Sequence, residues 1–122
     1  MSKVYVSWEQ AEEFVKHIKS TGKKFTGVYG LPRGGLVLAV LLSHGLNIPM
    51  LMSPTAGCLI VDDICDTGES LLHYVKNSSG DKVQDYTIAT MYYKVNELGV
   101  VPDIYSYIKT NEWVVFPWEI GG

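Results

Sequence analysis

The chain has 122 residues, of which 47% are hydrophobic and 19% charged, with a formal net charge of -3. That length is enough for one domain whose core needs neither disulfides nor metals, and the composition excludes a disordered chain. The negative balance weighs against nucleic-acid binding through a broad basic surface. The longest apolar run, Leu36 to Leu42, falls far short of the about 20 residues that a membrane-spanning helix takes.

The start, Met1-Ser2-Lys3-Val4, leads into an amphipathic stretch rather than a signal peptide. Ser7-Trp8-Glu9-Gln10 reads as a capping box, and Trp8, Ala11, Phe14, Val15 and Ile18 follow it at helical spacing up to Gly22. Phe25 to Tyr29 is a short candidate strand. Gly30 to Gly35 is a turn, and Leu36 to His44 reads as a buried helix stopped by Gly45. Ile48 to Met52 is a second short strand and Ser53 to Gly57 a loop. Cys58 to Val61 is apolar throughout, as a central parallel strand covered on both faces should be. A turn is expected over Asp62 to Gly68, a helix from about Glu69 to Lys76, a turn over Asn77 to Asp81 and a strand over Asp85 to Tyr93. The tail from Asn96 is rich in Pro and aromatic residues, with a strand piece at Ile104 to Ile108. Repeated strand–turn–helix order predicts an α/β fold, with ligands at the carboxyl ends of the strands.

Cys58 and Cys65 form no CxxC pair, which fits free thiols in a reducing, cytoplasmic setting. His17, His44 and His73 are scattered and make no metal constellation.

The sharpest feature is the string from Leu59 to Ser70. A buried strand runs into two adjacent carboxylates, Asp62 and Asp63, and then into Asp66-Thr67-Gly68-Glu69-Ser70. Amides at the start of a helix, with hydroxyl donors beside them, suit a phosphate monoester. Two carboxylates beside such a cradle suit a ribose diol and an oxygen-seeking Mg²⁺.

This string resembles the PRPP-binding motif of the type I phosphoribosyltransferases, with every position of the motif filled. The resemblance implies that Asp62 and Asp63 contact the ribose hydroxyls and a Mg²⁺ ion, directly or through water. It implies that Asp66, Thr67, Gly68, Glu69 and Ser70 surround the 5′-phosphate. Asp66 would also be the catalytic base, aimed at N7 of a purine.

Arg33 is the only arginine of the chain and lies in a glycine-flanked turn. Its planar fork suits phosphate oxygens. By the same resemblance, Leu31, Pro32, Arg33 and Gly34 form the pyrophosphate-binding loop, with a strained or cis peptide near Pro32-Arg33.

The tail Trp113-Val114-Val115-Phe116-Pro117-Trp118-Glu119 is similar to the hood of the short xanthine–guanine branch, with its Trp-x-x-x-Pro-Trp-acidic signature. The likeness implies base stacking on Trp113, Lys94 at the purine O6 and the Val114 backbone at the 2-position. A domain core over about 1–93 and a hood over 94–122 follow, as does a homodimer or tetramer. The reaction implied is phosphoribosyl transfer from PRPP to a 6-oxopurine in purine salvage.

One part departs from the family pattern. The family usually carries a long mobile loop, holding a Ser-Tyr pair or its equivalent, that closes over PRPP. Here Ser53 to Gly57 is five residues without a tyrosine. The alternatives are therefore a PRPP- or nucleotide-binding protein with reduced or no catalysis, and a phosphoribosyltransferase for another base.

Overall fold

The expected capping box is present in the computed structural model, which describes residues 2–75 and 85–120. Ser7 Oγ accepts from the Gln10 amide at 3.1 Å, and Gln10 Oε1 accepts from the Ser7 amide at 2.9 Å. It opens α1 (Trp8–Ser20), which buries Ala11, Phe14 and Ile18. Gly22 follows the helix with φ of 70°.

The strand β2 (Val28–Gly30) starts three residues later than the sequence implies. After it, α2 (Gly34–Leu46) runs past Gly45 and closes on Asn47, whose φ is 54°. The expectation that Gly45 stops this helix is thus corrected. A Cβ at Gly45 would overlap Val15 Cγ1, so the glycine serves the packing of α2 on α1. The expected strand over Ile48 to Met52 shrinks to one bridge between Met50 and Val28. Pro49 has no N–H to give, and β2 offers only three residues to pair with.

The central strand is longer than expected. β3 (Leu59–Cys65) continues through Asp62, Asp63 and Ile64, where a turn was expected. The reason is non-local. β4 (Thr87–Tyr93) lies beside it and pairs in parallel from Leu59–Thr87 up to Cys65–Tyr93. Next comes α3 (Glu69–Val75); Lys76 and the turn expected over Asn77 to Asp81 lie outside the described residues. β5 (Ile104–Ile108) has the expected bounds and adds to the central sheet. The sequence reading missed β1 (Lys3–Tyr5), which pairs in parallel with β6 (Trp113–Val115).

The main sheet has the order β2-β3-β4-β5, all parallel, and β1-β6 forms a second, two-stranded sheet. Helices cover the main sheet on both faces. Leu59, Val61, Ala89 and Met91 pack with Phe14, Ile18, Leu38 and Leu42 from α1 and α2. Ile60, Cys65, Ile88 and Tyr93 pack with Leu71 from α3. The alternation is interrupted once, at one level across three strands. The pairings skip Asp63–Met91 and Met91–Ser106, and the neighbours Met91 and Tyr92 lie in the same core. No helix among the described residues is long and apolar enough to cross a membrane.

Close backbone approach seats α2 on the sheet. A Cβ at Gly30 would overlap Gly35 O, and one at Gly35 would overlap Val61 O. Only the absent side chains let the first turn of α2 rest on β2 and β3. Gly35→Ala should therefore cost about 2 kcal/mol through overpacking against backbone that cannot rotate away. At this chain length that corresponds to a drop in melting temperature of about 6 °C. A thermal melt checks it, and an unchanged midpoint would mean that the helix shifts freely.

Candidate active site

Three charged residues directly follow three neighbouring strands: Asp66 after β3, Lys94 after β4 and Lys109 after β5. The ladder carries on past the strand ends. The Lys94 amide donates to Cys65 O at 2.8 Å, and the Lys109 amide donates to Tyr93 O at 2.8 Å. The side chains converge. Lys109 Nζ lies 3.4 Å from Asp66 Oδ2, and Lys94 Nζ lies 3.9 Å from Asp66 Oδ1. The Lys109 side chain is only 12% exposed, against 39% for Lys94.

These residues floor a cleft of about 510 Å³ whose wall includes Trp113, Val114 and Glu112. Trp113 is 55% exposed, yet its backbone is fixed. Its amide donates to Ser2 O at 2.8 Å, and Val114 pairs with Val4. Behind it Phe116 and Trp118 stack with centroids 5.0 Å apart, and Trp118 meets Trp8 of α1 at 5.8 Å. The aromatic tail is thus pinned to the first helix.

A second cleft, of about 800 Å³, adjoins the first through Asp63, Ile64 and Glu119. It brings together Pro32, Arg33, Gly34, Asp62, Asp63 and Ser70. The peptide between Pro32 and Arg33 is cis, as the resemblance implies. A Cβ at Gly34 would overlap Asp63 Oδ2, so this carboxylate lies against the N-terminus of α2, where the helix dipole favours negative charge. Leu31 does not join the groove with its side chain. That side chain is buried in the core under α3, and its amide donates to Val61 O at 2.9 Å.

A third cleft, of about 440 Å³, holds Asp66, Thr67, Glu69 and Lys94 together with the segment after Lys94. Gly68 turns the chain there with φ of 85°, and a Cβ on it would lie 2.9 Å from Val100 Cβ. Asn96 clamps the facing segment: its Oδ1 accepts from the Val100 amide at 3.0 Å, and its Nδ2 donates to Val100 O at 2.8 Å. With shared residues between neighbours, the three clefts make one groove along the carboxyl end of the sheet. The connection over Ser53 to Gly57 is elsewhere. It is tied to Thr26 and Asp85 at the other end of β3, and none of its residues lines these clefts.

No family model matches the chain. Among solved structures, the purine phosphoribosyltransferase from Pyrococcus horikoshii is similar with a TM-score of 0.79 and 30% identity, over 100% of this chain and 97% of that one. The chain belongs to the type I phosphoribosyltransferase family. A xanthine-guanine phosphoribosyltransferase of Idiomarina loihiensis is 24% identical over 144 residues, covering 95% of this chain and 86% of the relative. The alignment is longer than the chain itself, so that relative carries additional residues. The xanthine-guanine-hypoxanthine phosphoribosyltransferase of Helicobacter pylori shares the fold with a TM-score of 0.71 at 21% identity, over 97% of this chain and 94% of that one.

Sequence reasoning missed Lys109, Ile64, Asn111, Glu112 and Phe116 among the lining residues. For Lys109 a signal existed. It follows β5 as Lys94 follows β4, one step beyond the last residue of the strand.

The electrostatics of Asp62 and Asp63 fit a divalent cation. Burial is the main force raising both carboxyls. Repulsion from Asp63 adds to it at Asp62, which is pushed up to about 8. The hydrogen bond between the two side chains raises Asp62 and offsets part of the rise at Asp63. The pair behaves as a carboxyl and a carboxylate sharing one proton. Among the described residues no cluster of three or more His, Cys, Asp or Glu forms a metal cage. Mg²⁺ needs none, since it binds through one or two carboxylates plus substrate phosphates.

The raised Asp62 makes stability pH-dependent. Below about pH 4 folded and unfolded chains both hold this proton and its contribution is fully present; it is lost as pH rises toward about 8, where the folded chain ionises. The loss is on the order of 5 kcal/mol. Asp62→Asn should abolish it and melt about 15 °C above the parent at pH 8 without magnesium, converging with it at pH 4. Calorimetry across that range checks this; parallel curves for the two proteins would exclude Asp62 as the source.

Proposed function

We propose that the chain transfers the phosphoribosyl group of PRPP to a 6-oxopurine, giving the nucleoside monophosphate and pyrophosphate. The observation that supports this best is the single groove in which Arg33, the Asp62–Asp63 pair, Asp66 and Trp113 follow one another. The names of the curated relatives agree with it.

In this reading the purine lies against Trp113 with its O6 toward Lys94 and its 2-position toward the Val114 backbone. Aromatic stacking and one charged donor at the edge orient a flat heterocycle. Asp62 and Asp63 receive the ribose hydroxyls, and the turn from Asp66 to Ser70 receives the 5′-phosphate. That remote phosphate supplies binding energy to position the sugar. Pyrophosphate faces Arg33 and Gly34 and the backbone of Leu31 and Pro32. A Mg²⁺ ion beside Asp62 and Asp63 would neutralise charge on the leaving pyrophosphate.

As N9 of the base bonds to the anomeric carbon, the bond from that carbon to the pyrophosphate oxygen breaks. The proton on N7 passes to Asp66, a general-base role worth about 10²–10⁴ in rate. A core that carries the sugar and phosphate sites, a hood that carries the base site, and assembly as a homodimer or tetramer belong to the same reading.

A second reading has an observation of its own. The Ser53–Gly57 connection is tied down away from the groove, and lids that exclude water commit substrate to transfer. Such a site would release pyrophosphate from PRPP without forming nucleotide, or bind without turnover.

Incubation with PRPP, Mg²⁺ and, separately, hypoxanthine, guanine, xanthine and adenine distinguishes the readings. Mononucleotide from a 6-oxopurine is expected. Pyrophosphate alone favours the open-site reading, and neither product favours a binding protein. Asp66→Asn should lower kcat by about 10² or more and leave PRPP affinity within about threefold. Lys94→Ala should weaken 6-oxopurines selectively, by about tenfold in KM. An equal loss for adenine would assign Lys94 a structural role.

A further inference from the structure

Lys109 has no role in the reading above, although it is the most enclosed cation of the groove. We infer that Lys109 is a positioning residue that holds the Asp66 carboxylate in the plane in which it receives the purine proton. The inference rests on the assignment of Asp66 as the base.

Three observations carry it. First, Lys109 is fixed at its backbone, because its amide extends the β4–β5 ladder to Tyr93 O at 2.8 Å. Its ammonium therefore reaches inward from a rigid point, with 12% of the side chain exposed. Second, it lies within hydrogen-bond distance of Asp66, at 3.4 Å, whereas Lys94 stands at 3.9 Å from the other oxygen. Third, the neighbouring acid is already engaged. Glu112 accepts from the Thr110 amide at 2.9 Å and the Thr110 hydroxyl at 2.8 Å, so its pull on Lys109 is through space.

A carboxylate with no cation beside it turns about its Cβ–Cγ bond, whereas a cation anchored at its own backbone and within hydrogen-bond distance of one oxygen restrains that turning. When Lys94 engages the purine O6, only Lys109 still holds Asp66. Losing that restraint costs the chemical step, since small misplacements of a reacting group are expensive.

A double-mutant cycle tests this. In assays with PRPP, Mg²⁺ and guanine, Lys109→Met should lower kcat about tenfold with KM for PRPP within about twofold. Lys109→Arg should recover activity to within about threefold, since it restores the cation. In an Asp66→Asn background, Lys109→Met should change kcat by less than about twofold, because the carboxylate it positions is gone. An equal loss in both backgrounds, or no loss in either, would overturn the inference. If Lys109→Met melts below the assay temperature, Lys109→Gln takes its place under the same criteria. Should the parent form no mononucleotide, the proposed reaction fails instead, and the cycle is read on GMP affinity by calorimetry. Non-additive losses there would support the coupling of Lys109 to Asp66, and additive ones would overturn it.

Discussion

The site depends on parallel strands that keep step. Cys65, Tyr93 and Ile108 end β3, β4 and β5 on one level of the ladder. Because they do, the next residues of three distant stretches of chain, Asp66, Lys94 and Lys109, meet within ion-pair distance. Side chains alternate faces along a strand, so a slip of one residue in β5 would send Lys109 to the opposite face and leave Asp66 with Lys94 alone. The precision comes from backbone hydrogen bonds, which tolerate no intermediate register. The charges themselves are weakly paired and would not hold three strands in line.

The interruption at Asp63, Met91 and Ser106 has a related effect. Below it, the sheet divides its side chains between the α1–α2 core and the α3 core in strict alternation; above it, Tyr92 joins the first core and Cys65 and Tyr93 the second. Asp63 falls at this level and lies against Gly34, where two glycine contacts have already drawn α2 onto the sheet. The acidic pair is therefore half-enclosed by packing that exists for other reasons. Its high proton affinity follows from that enclosure, and a cation there would relieve a repulsion that the fold otherwise has to bear.

Much of this was legible in the residues. The apolar run from Leu59, the Asp-Thr-Gly turn and the glycines around Arg33 are local patterns, and local patterns dictated local structure. What failed was what another stretch of chain decides. Asp62 to Ile64 look like a turn because carboxylates are poor strand formers, yet β4 supplies partners that override propensity. Gly45 looks like a stop signal, yet Val15 makes it a packing position. β1 carries no pattern at all, since its three side chains are exposed and only pairing with β6 makes it a strand. Leu31 was grouped with its turn, although its side chain belongs to the core.

The pairing of β1 with β6 also bears on how the protein is made. Val4 and Val114 are partners, so a contact near the start of the chain waits for one near residue 115. During synthesis at about 5–20 residues per second, the central strands can pair while the wall bearing Trp113 has yet to leave the ribosome. The groove is therefore finished last, and its base-side wall is the part with the longest loop to close. A nascent chain can own the four-stranded sheet and the core under α3 while Val114 and Phe116 have yet to complete the other core and the surface that tells one heterocycle from another.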